Sequence, residues 1–205
     1  MNAPLRGLLV DFGGVLTTDV FASFAAFCTA HGLPAQTVRD LFRTDPAARR
    51  LLAELETGAL ETAAFEKRFA ALLGVDSDDL VARLMAGTRP DTAMLDAVRA
   101  ARAAGLRTGL ISNSWGNERY DRALLAELFD GVVISGEVGL RKPAEGIYRL
   151  GAEAVGLDPA RCAYVDDLGG NLKPARALGM TTFLHRSAEE TVPALERALG
   201  VSLSR

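Results

Sequence analysis

The stretch LLVDFGGVLTT, Leu8 to Thr18, runs from three apolar residues into an aspartate and two glycines. With no polar alternation, the apolar run reads as a short parallel strand covered on both faces. A carboxylate at the end of such a strand is costly to bury unless it is paired or used. Asp11 is therefore a candidate functional group. Two residues on, Gly13 has no side chain to offer.

The chain around this stretch divides into two kinds of pattern. From about Val20 to Gly87 helical spacing dominates and no strand stands out. Val20, Phe24 and Phe27 share a face, and Gly32 closes that segment. Thr37 to Phe42 is a short helical piece, and Pro46 opens another at a position where proline is tolerated. Thr62 to Leu73 places Phe65, Phe69 and Leu72 on one side. Asp78 to Met85 follows Ser77, an expected N-cap.

After Arg89-Pro90 strands and helices alternate. Asp91 is expected to cap a helix to Gly105. Leu106–Ser112 is a strand, and Asn117 is expected to cap a helix to about Phe129. Val132–Ser135 is a strand, Pro143 starts a helix to Gly156, and Cys162–Val165 is a strand ending in Asp166-Asp167. Leu172–Leu178 is a helix and Met180–Leu184 the last strand. Ser187 with Glu190 forms an expected capping box for a final helix. This alternation implies an α/β fold: a Rossmann-like parallel sheet with right-handed crossovers and helices on both faces. The expected division is a core of residues 1–16 and 89–205, with 17–88 inserted as a helical cap.

Composition narrows the function. The 205 residues are 49% apolar and 24% charged, with a formal net charge of −3. That balance offers no electrostatic footprint for nucleic acid or an anionic membrane. The apolar runs are too short to span a bilayer, and residues 1–14 lack the apolar segment of a signal peptide. Cys28 and Cys162 suggest two buried thiols in a reducing cytoplasm. Basic residues are nearly all arginine, so the lysines at Lys67, Lys142 and Lys173 stand out.

Ligands of open parallel sheets bind beyond the carboxyl ends of the strands. There the topology gathers Asp11, then Ser112, Asn113 and Ser114, then Lys142, then Asp166 and Asp167. Three neighbouring carboxylates stay ionised only with a cation among them. Oxygen ligands without histidine or a cysteine pair favour Mg²⁺ over Zn²⁺. Mg²⁺ favours phosphate chemistry, and donors from Ser112 and Asn113 with the cation of Lys142 suit phosphate oxygens. A carboxylate beside the metal can act as a nucleophile and form an aspartyl-phosphate.

The ordered motifs VDFGGVLT, LISNS, RKP and YVDD resemble the four motifs of the haloacid dehalogenase-like superfamily. The helical insert sits where that superfamily's first cap type belongs. SNSW, SGEVGLRKPAEGIY and VDDLGGNLKPARALGM resemble the branch containing the N-terminal phosphatase domain of soluble epoxide hydrolases. The resemblance implies Asp11 as nucleophile and Mg²⁺ ligand, and Gly13 as a metal ligand through its carbonyl. It implies phosphate binding by Ser112, Asn113 and Lys142. It makes Asp167 the further metal ligand, with Asp166 beside it and Asn171 orienting the loop. The partner expected is a small phosphorylated metabolite, and the oligomeric state is open.

One position departs from that pattern. The superfamily's phosphatases usually carry a second aspartate, the general acid, where this chain has Gly13. Such an acid is worth about 10²–10⁴-fold in rate. Without it, good leaving groups such as a sugar 1-phosphate are favoured, or the proton comes through water, a cap residue or the substrate. Two other readings stand beside the phosphatase: a weak or inactive module that binds a phosphorylated ligand, and a haloacid dehalogenase. The Asp166-Asp167 pair argues against the latter.

Overall fold

A computed structural model describes residues 4–204; the first three residues of the 1–14 reading, and residues 1–3 and 205 of the expected core, lie outside them. The elements are β1 (Gly7–Val10), α1 (Val20–Ala30), α2 (Thr37–Thr44), α3 (Pro46–Glu56), α4 (Thr62–Leu73), α5 (Leu80–Met85) and α6 (Thr92–Ala103). They continue with β2 (Arg107–Ser112), α7 (Arg122–Leu128), β3 (Gly131–Ile134), α8 (Ser135–Val138), α9 (Glu145–Ala154), β4 (Cys162–Asp166), α10 (Gly169–Ala177), β5 (Thr181–Leu184) and α11 (Ala188–Leu199).

The five strands form one parallel sheet in the order β3-β2-β1-β4-β5. Strand β1 is central, and every one of its residues is buried. Successive side chains of a strand point to opposite faces. Leu8 and Val10 accordingly pack with α6, α7 and α11, whereas Leu9 packs with Tyr148 and Tyr164 on the face covered by α9 and α10. From β1 the chain winds to β2 and β3 on one side and β4 and β5 on the other. The crevice at that reversal lies beyond the ends of β1, β2 and β4.

Helices α1–α5 build their own apolar cluster around Phe24, Phe27, Phe65, Phe69 and Leu84. This insert joins the sheet through two adjacent strands of chain, bridged at Thr17 and Pro90. There the Thr18 amide donates to the Arg89 carbonyl at 2.8 Å, and the Asp91 amide donates to the Leu16 carbonyl at 2.9 Å. A second attachment sits at the end of α3, where the hydroxyl of Ser135 in α8 donates to the Glu56 carbonyl.

Local signals fixed several helix ends. Asp45 and Asp91 cap α3 and α6 by accepting from the amides of Ala48 and Met94, and Pro46 occupies the first turn of α3. Others differ from the sequence reading. Asn117 opens only a short 3₁₀ turn, and Asp121 caps α7. Pro143 precedes α9, which starts at Glu145. Helix α5 starts at Leu80, not Asp78, behind Asp79 in the left-handed region. Ser187 makes no side-chain cap to α11, so the expected box with Glu190 does not form. Asn117 and Asp121 each offer a capping oxygen, but that of Asn117 accepts from the Ser114 hydroxyl at 2.7 Å, which leaves Asp121 to take the amides of α7.

Candidate active site

The sheet ends bring the motif residues together. Asp11 continues β1, its amide donating to the Val165 carbonyl at 2.9 Å. Its Oδ1 accepts from the Phe12 amide at 2.6 Å and lies 2.7 Å from Lys142 Nζ. Lys142 is 1% exposed, and its ammonium also donates to Asp166 Oδ2 at 2.9 Å. A buried ammonium is tolerable here because two carboxylates hold it, and they push its pKa above the usual lysine range against the opposing effect of burial.

Asp166 is fully buried and its oxygens are spoken for. They accept from Lys142, the Tyr164 hydroxyl, the Leu168 amide and Asn171 Nδ2. Asn171, one turn into α10, thus holds both oxygens of Asp166, at 3.0 and 3.1 Å. Asp167 lies on the open side.

Asp11, Asp166 and Asp167 each offer an oxygen within 4.8 Å of the others. Burial pushes the Asp11 carboxyl up to about 7; Lys142 opposes this, and Asp166 and Asp167 add to it. Burial, then Asp166, pushes Asp167 up to about 6. Such a cluster is short of positive charge, which is what a divalent cation supplies. The donor set fits a hard ion: the cluster is three carboxylates with no histidine or cysteine among its members. Gly14 helps make room for it. It sits at φ +73°, and a Cβ there would come 2.5 Å from Asp167 Oδ2. Gly13, in contrast, is not in the left-handed region, and its Cβ would meet only Val20 Cγ2 at 3.2 Å.

Motif residues on β2 do a different job from a simple ring of donors. The Ser112 hydroxyl pairs with the Tyr120 hydroxyl at 2.8 Å. The Asn113 side chain clamps Lys142: Oδ1 accepts the Lys142 amide at 2.8 Å, and Nδ2 donates to the Lys142 carbonyl at 3.2 Å. The Asn113 backbone N–H makes no hydrogen bond among the described residues and remains available to a ligand. The Ser114 amide donates to the Ser135 hydroxyl at 2.8 Å.

Above this floor lies a cavity of about 320 Å³, lined by Asp11, Gly13, Asn113, Lys142 and Asp167 below. Phe21, Phe24, Phe42 and Leu52 of the insert wall it, with Trp115 and Tyr120 from the core. The insert's aromatic residues therefore divide: Phe65 and Phe69 serve its own core, and Phe24 serves both core and cavity. Trp115 lies against the rings of Phe24, Phe42 and Phe65. The histidines are elsewhere. His31 stacks on Phe27, and His185 contacts Thr191.

Three charged cavity residues, Glu56, Arg119 and Arg141, escaped the sequence reading. Glu56, at the end of α3, is buried, and Arg141 Nε lies 2.5 Å from its Oε2. The Arg141 N–H is not aimed along that line, so this is a charge contact more than an aligned hydrogen bond. Asn113 Nδ2 donates to the same Oε2 at 3.2 Å. Burial raises the Glu56 carboxyl to about 7 against the pull of Arg141 and Lys142. The signal in the sequence was faint: Ala48, Leu51, Leu52 and Leu55 form an apolar stripe, and Glu56 continues it four residues after Leu52.

Comparisons with known proteins bear on the fold and the family. The chain is 31% identical to bifunctional epoxide hydrolase 2 of Rattus norvegicus over 60% of its own length and 23% of the relative's. It spans less than a quarter of the length of that protein and of its pig and mouse counterparts. It is 30% identical to a protein of Mycobacterium tuberculosis named as a phosphatase, covering 50% of this chain and 49% of the other. A solved structure of the HAD family enzyme BT-2542 from Bacteroides thetaiotaomicron shares the fold at TM-score 0.74 and 23% identity, covering 94% of this chain and 99% of that one. The same enzyme was also crystallised in complex with magnesium and inorganic phosphate, and that structure matches at TM-score 0.65. A family model described as haloacid dehalogenase-like hydrolase matches residues 5–179, which include β1 to β4 and every charged group on the cavity floor; the chain belongs to that family of hydrolases.

Proposed function

We propose that this protein is a Mg²⁺-dependent phosphatase that hydrolyses a small phosphorylated metabolite through an aspartyl-phosphate on Asp11, with residues 17–88 acting as its cap. The observation that carries this reading is the trio Asp11, Lys142 and Asp167 on the floor of a cavity that Asn113, its backbone N–H unpaired among the described residues, also lines. The magnesium and phosphate bound by BT-2542 and the phosphatase named in M. tuberculosis support it.

Asp11, Asp167 and the Gly13 carbonyl would hold the ion, since Asp166 is already saturated by four partners. When bound there, Mg²⁺ supplies positive charge that offsets the carboxylates and polarises a phosphoryl oxygen. Asp11 attacks phosphorus with the oxygen that Lys142 does not hold. Lys142 and the Asn113 N–H steady the charge that gathers on the phosphoryl oxygens. Water then attacks phosphorus and Asp11 is freed. Judged on the β1 loop alone, esters with acidic leaving groups, such as a sugar 1-phosphate, turn over fastest, because Gly13 donates nothing.

Gly13 also favours a second reading, a module that binds a phosphorylated ligand with little turnover. Phosphate release from p-nitrophenyl phosphate and a panel of sugar phosphates separates the two. The assay is run with Mg²⁺ or EDTA, on wild type and Asp11→Asn. Mg²⁺-dependent release that disappears in the folded variant is the expected result. A wild type that binds Mg²⁺ and phosphate esters but releases no phosphate supports the module instead.

A further inference from the structure

Gly13 leaves the leaving-group oxygen without a donor on the β1 loop, yet the same cavity carries a carboxyl from the opposite side. We propose that Glu56, reaching down from the insert, is the proton donor to the leaving group and then the base that activates water; the proposal rests on the phosphatase reading above.

Elimination among the cavity-lining groups points to Glu56. Asp11 is the nucleophile and Asp167 faces the metal position. Lys142 is held by Asp11 and Asp166. Arg119 and Arg141 do not give up protons near neutrality. Tyr120 is pushed up to about 12 by burial, and its hydroxyl is engaged with Ser112. Neither histidine lines the cavity. Glu56 is the remaining acid among the described residues.

Its surroundings suit the task. Arg141 and Asn113 both meet Oε2, and Oε1 accepts no hydrogen bond from the described residues. One oxygen therefore anchors the side chain and the other is left to carry a proton. Asn113 is the link to the phosphate floor, since its side chain touches Glu56 while its backbone N–H, in a residue that lines the cavity, makes no hydrogen bond among the described residues. Nucleophile and acid also come from opposite sides, Asp11 from the sheet and Glu56 from the insert, as in-line displacement requires. The charged groups that face Glu56 are Arg141 and Lys142, both cationic and both in the loop ahead of α9; its neighbours Asn113 and Ser135 are neutral. With burial raising the carboxyl to about 7, both protonation states are populated near neutral pH.

The steps balance. Asp11 forms a bond to phosphorus as the P–O bond to the leaving group breaks, and the Glu56 proton passes to that oxygen. The product alcohol leaves, and the Glu56 carboxylate stays beside Arg141. Water then attacks phosphorus, Glu56 takes a proton from it, the bond to Asp11 breaks and inorganic phosphate departs. Glu56 ends protonated, as it began.

The test compares kcat/KM for phosphate esters whose leaving groups range from p-nitrophenol to a simple alkanol, in wild type and Glu56→Gln. The variant keeps the shape of the side chain. Alkyl esters should slow by about 100- to 10,000-fold and p-nitrophenyl phosphate by less than about tenfold. Adding Gly13→Asp to that variant should restore part of the alkyl-ester turnover, because a Cβ at Gly13 meets only the side chain of Val20, at 3.2 Å, which has to shift slightly to admit it. In wild type, alkyl-ester kcat/KM should fall as pH rises through about 7, a limb that Glu56→Gln removes. This profile needs no variant to fold. Equal slowing of aryl and alkyl esters would overturn the proposal and leave Glu56 as a positioning residue for Asn113 and Arg141. A wild type active on p-nitrophenyl phosphate but inert on alkyl esters would overturn it too. No turnover of any ester by wild type with Mg²⁺ would remove the phosphatase reading itself, and this proposal with it.

Discussion

Lys142 carries more of the site than its single charge suggests. Its ammonium is the direct partner of Asp11 and Asp166, and its backbone is clamped by Asn113. Removing one member of a buried ion network leaves uncompensated charge, at a cost of about 3–5 kcal/mol. Lys142→Met should therefore lower unfolding free energy by that order in urea titrations without metal, besides losing turnover. Gly14 makes a separate prediction. Gly14→Ala puts a methyl group against Asp167 in a left-handed backbone, so its Mg²⁺ affinity by calorimetry should fall at least about tenfold. Affinity equal to wild type would show that Asp167 does not hold the ion. The raised acids also set a pH dependence. Asp11 and Asp167 sit at about 7 and about 6, against 3.8 in the unfolded chain. The folded, metal-free protein thus keeps protons that the unfolded chain has already released. The penalty is absent below about pH 4, grows as pH rises and is complete above about 7, and Glu56 adds the same sign. In EDTA, Tm should fall between about pH 4 and pH 7, more steeply in wild type than in Asp11→Asn, and Mg²⁺ should flatten the fall. Equal slopes in the two proteins would mean Asp11 is not the source.

The docking of α3 on α8 joins the insert to the cavity floor. Its parts are the Ser135 hydroxyl on the Glu56 carbonyl, the Ser114 amide on that hydroxyl, and Gly58 against Gly136. Gly58 is left-handed at φ +72°, and a Cβ there would lie 2.5 Å from the Gly136 carbonyl oxygen. Gly58→Ala should cost at least about 1 kcal/mol. It should also raise KM, and lower kcat for alkyl esters, since it pushes the insert and Glu56 with it off the floor while leaving Asp11 and Lys142 in place. A variant with unchanged KM would show that this docking does not shape the cavity. The helices themselves arise from short-range signals, such as Asp45-Pro46 at the start of α3 and Asp91 at the start of α6. Where two capping residues lie close together, as with Asn117 and Asp121, the Asn117 oxygen is taken by the Ser114 hydroxyl and Asp121 caps the helix.

Across the whole molecule, three apolar clusters match two sheet faces and one insert, and the cavity forms where the insert meets the strand ends. Trp115 is the single tryptophan of the chain and bridges that boundary, packing on Phe24 and Phe42 beside the floor. Its emission should therefore change when Mg²⁺ and phosphate bind together, and not in Phe42→Ala to the same extent. An unchanged spectrum on saturation would mean the boundary does not respond to ligand. No described helix is long and apolar enough to cross a membrane. Much of this was legible beforehand. Strand periodicity, the interposed helical block and the acids at strand ends follow from local patterns, so the parallel sheet and the meeting of Asp11, Asn113, Lys142 and Asp167 could be read from the chain alone. The partners of those residues could not. That Asn113 spends its side chain on Lys142, that four donors saturate Asp166 and that Glu56 enters the cavity beside Arg141 depend on contacts between residues far apart in sequence. Periodicity reports which face of an element is buried, whereas the identity of what it is buried against is decided only when the elements pack.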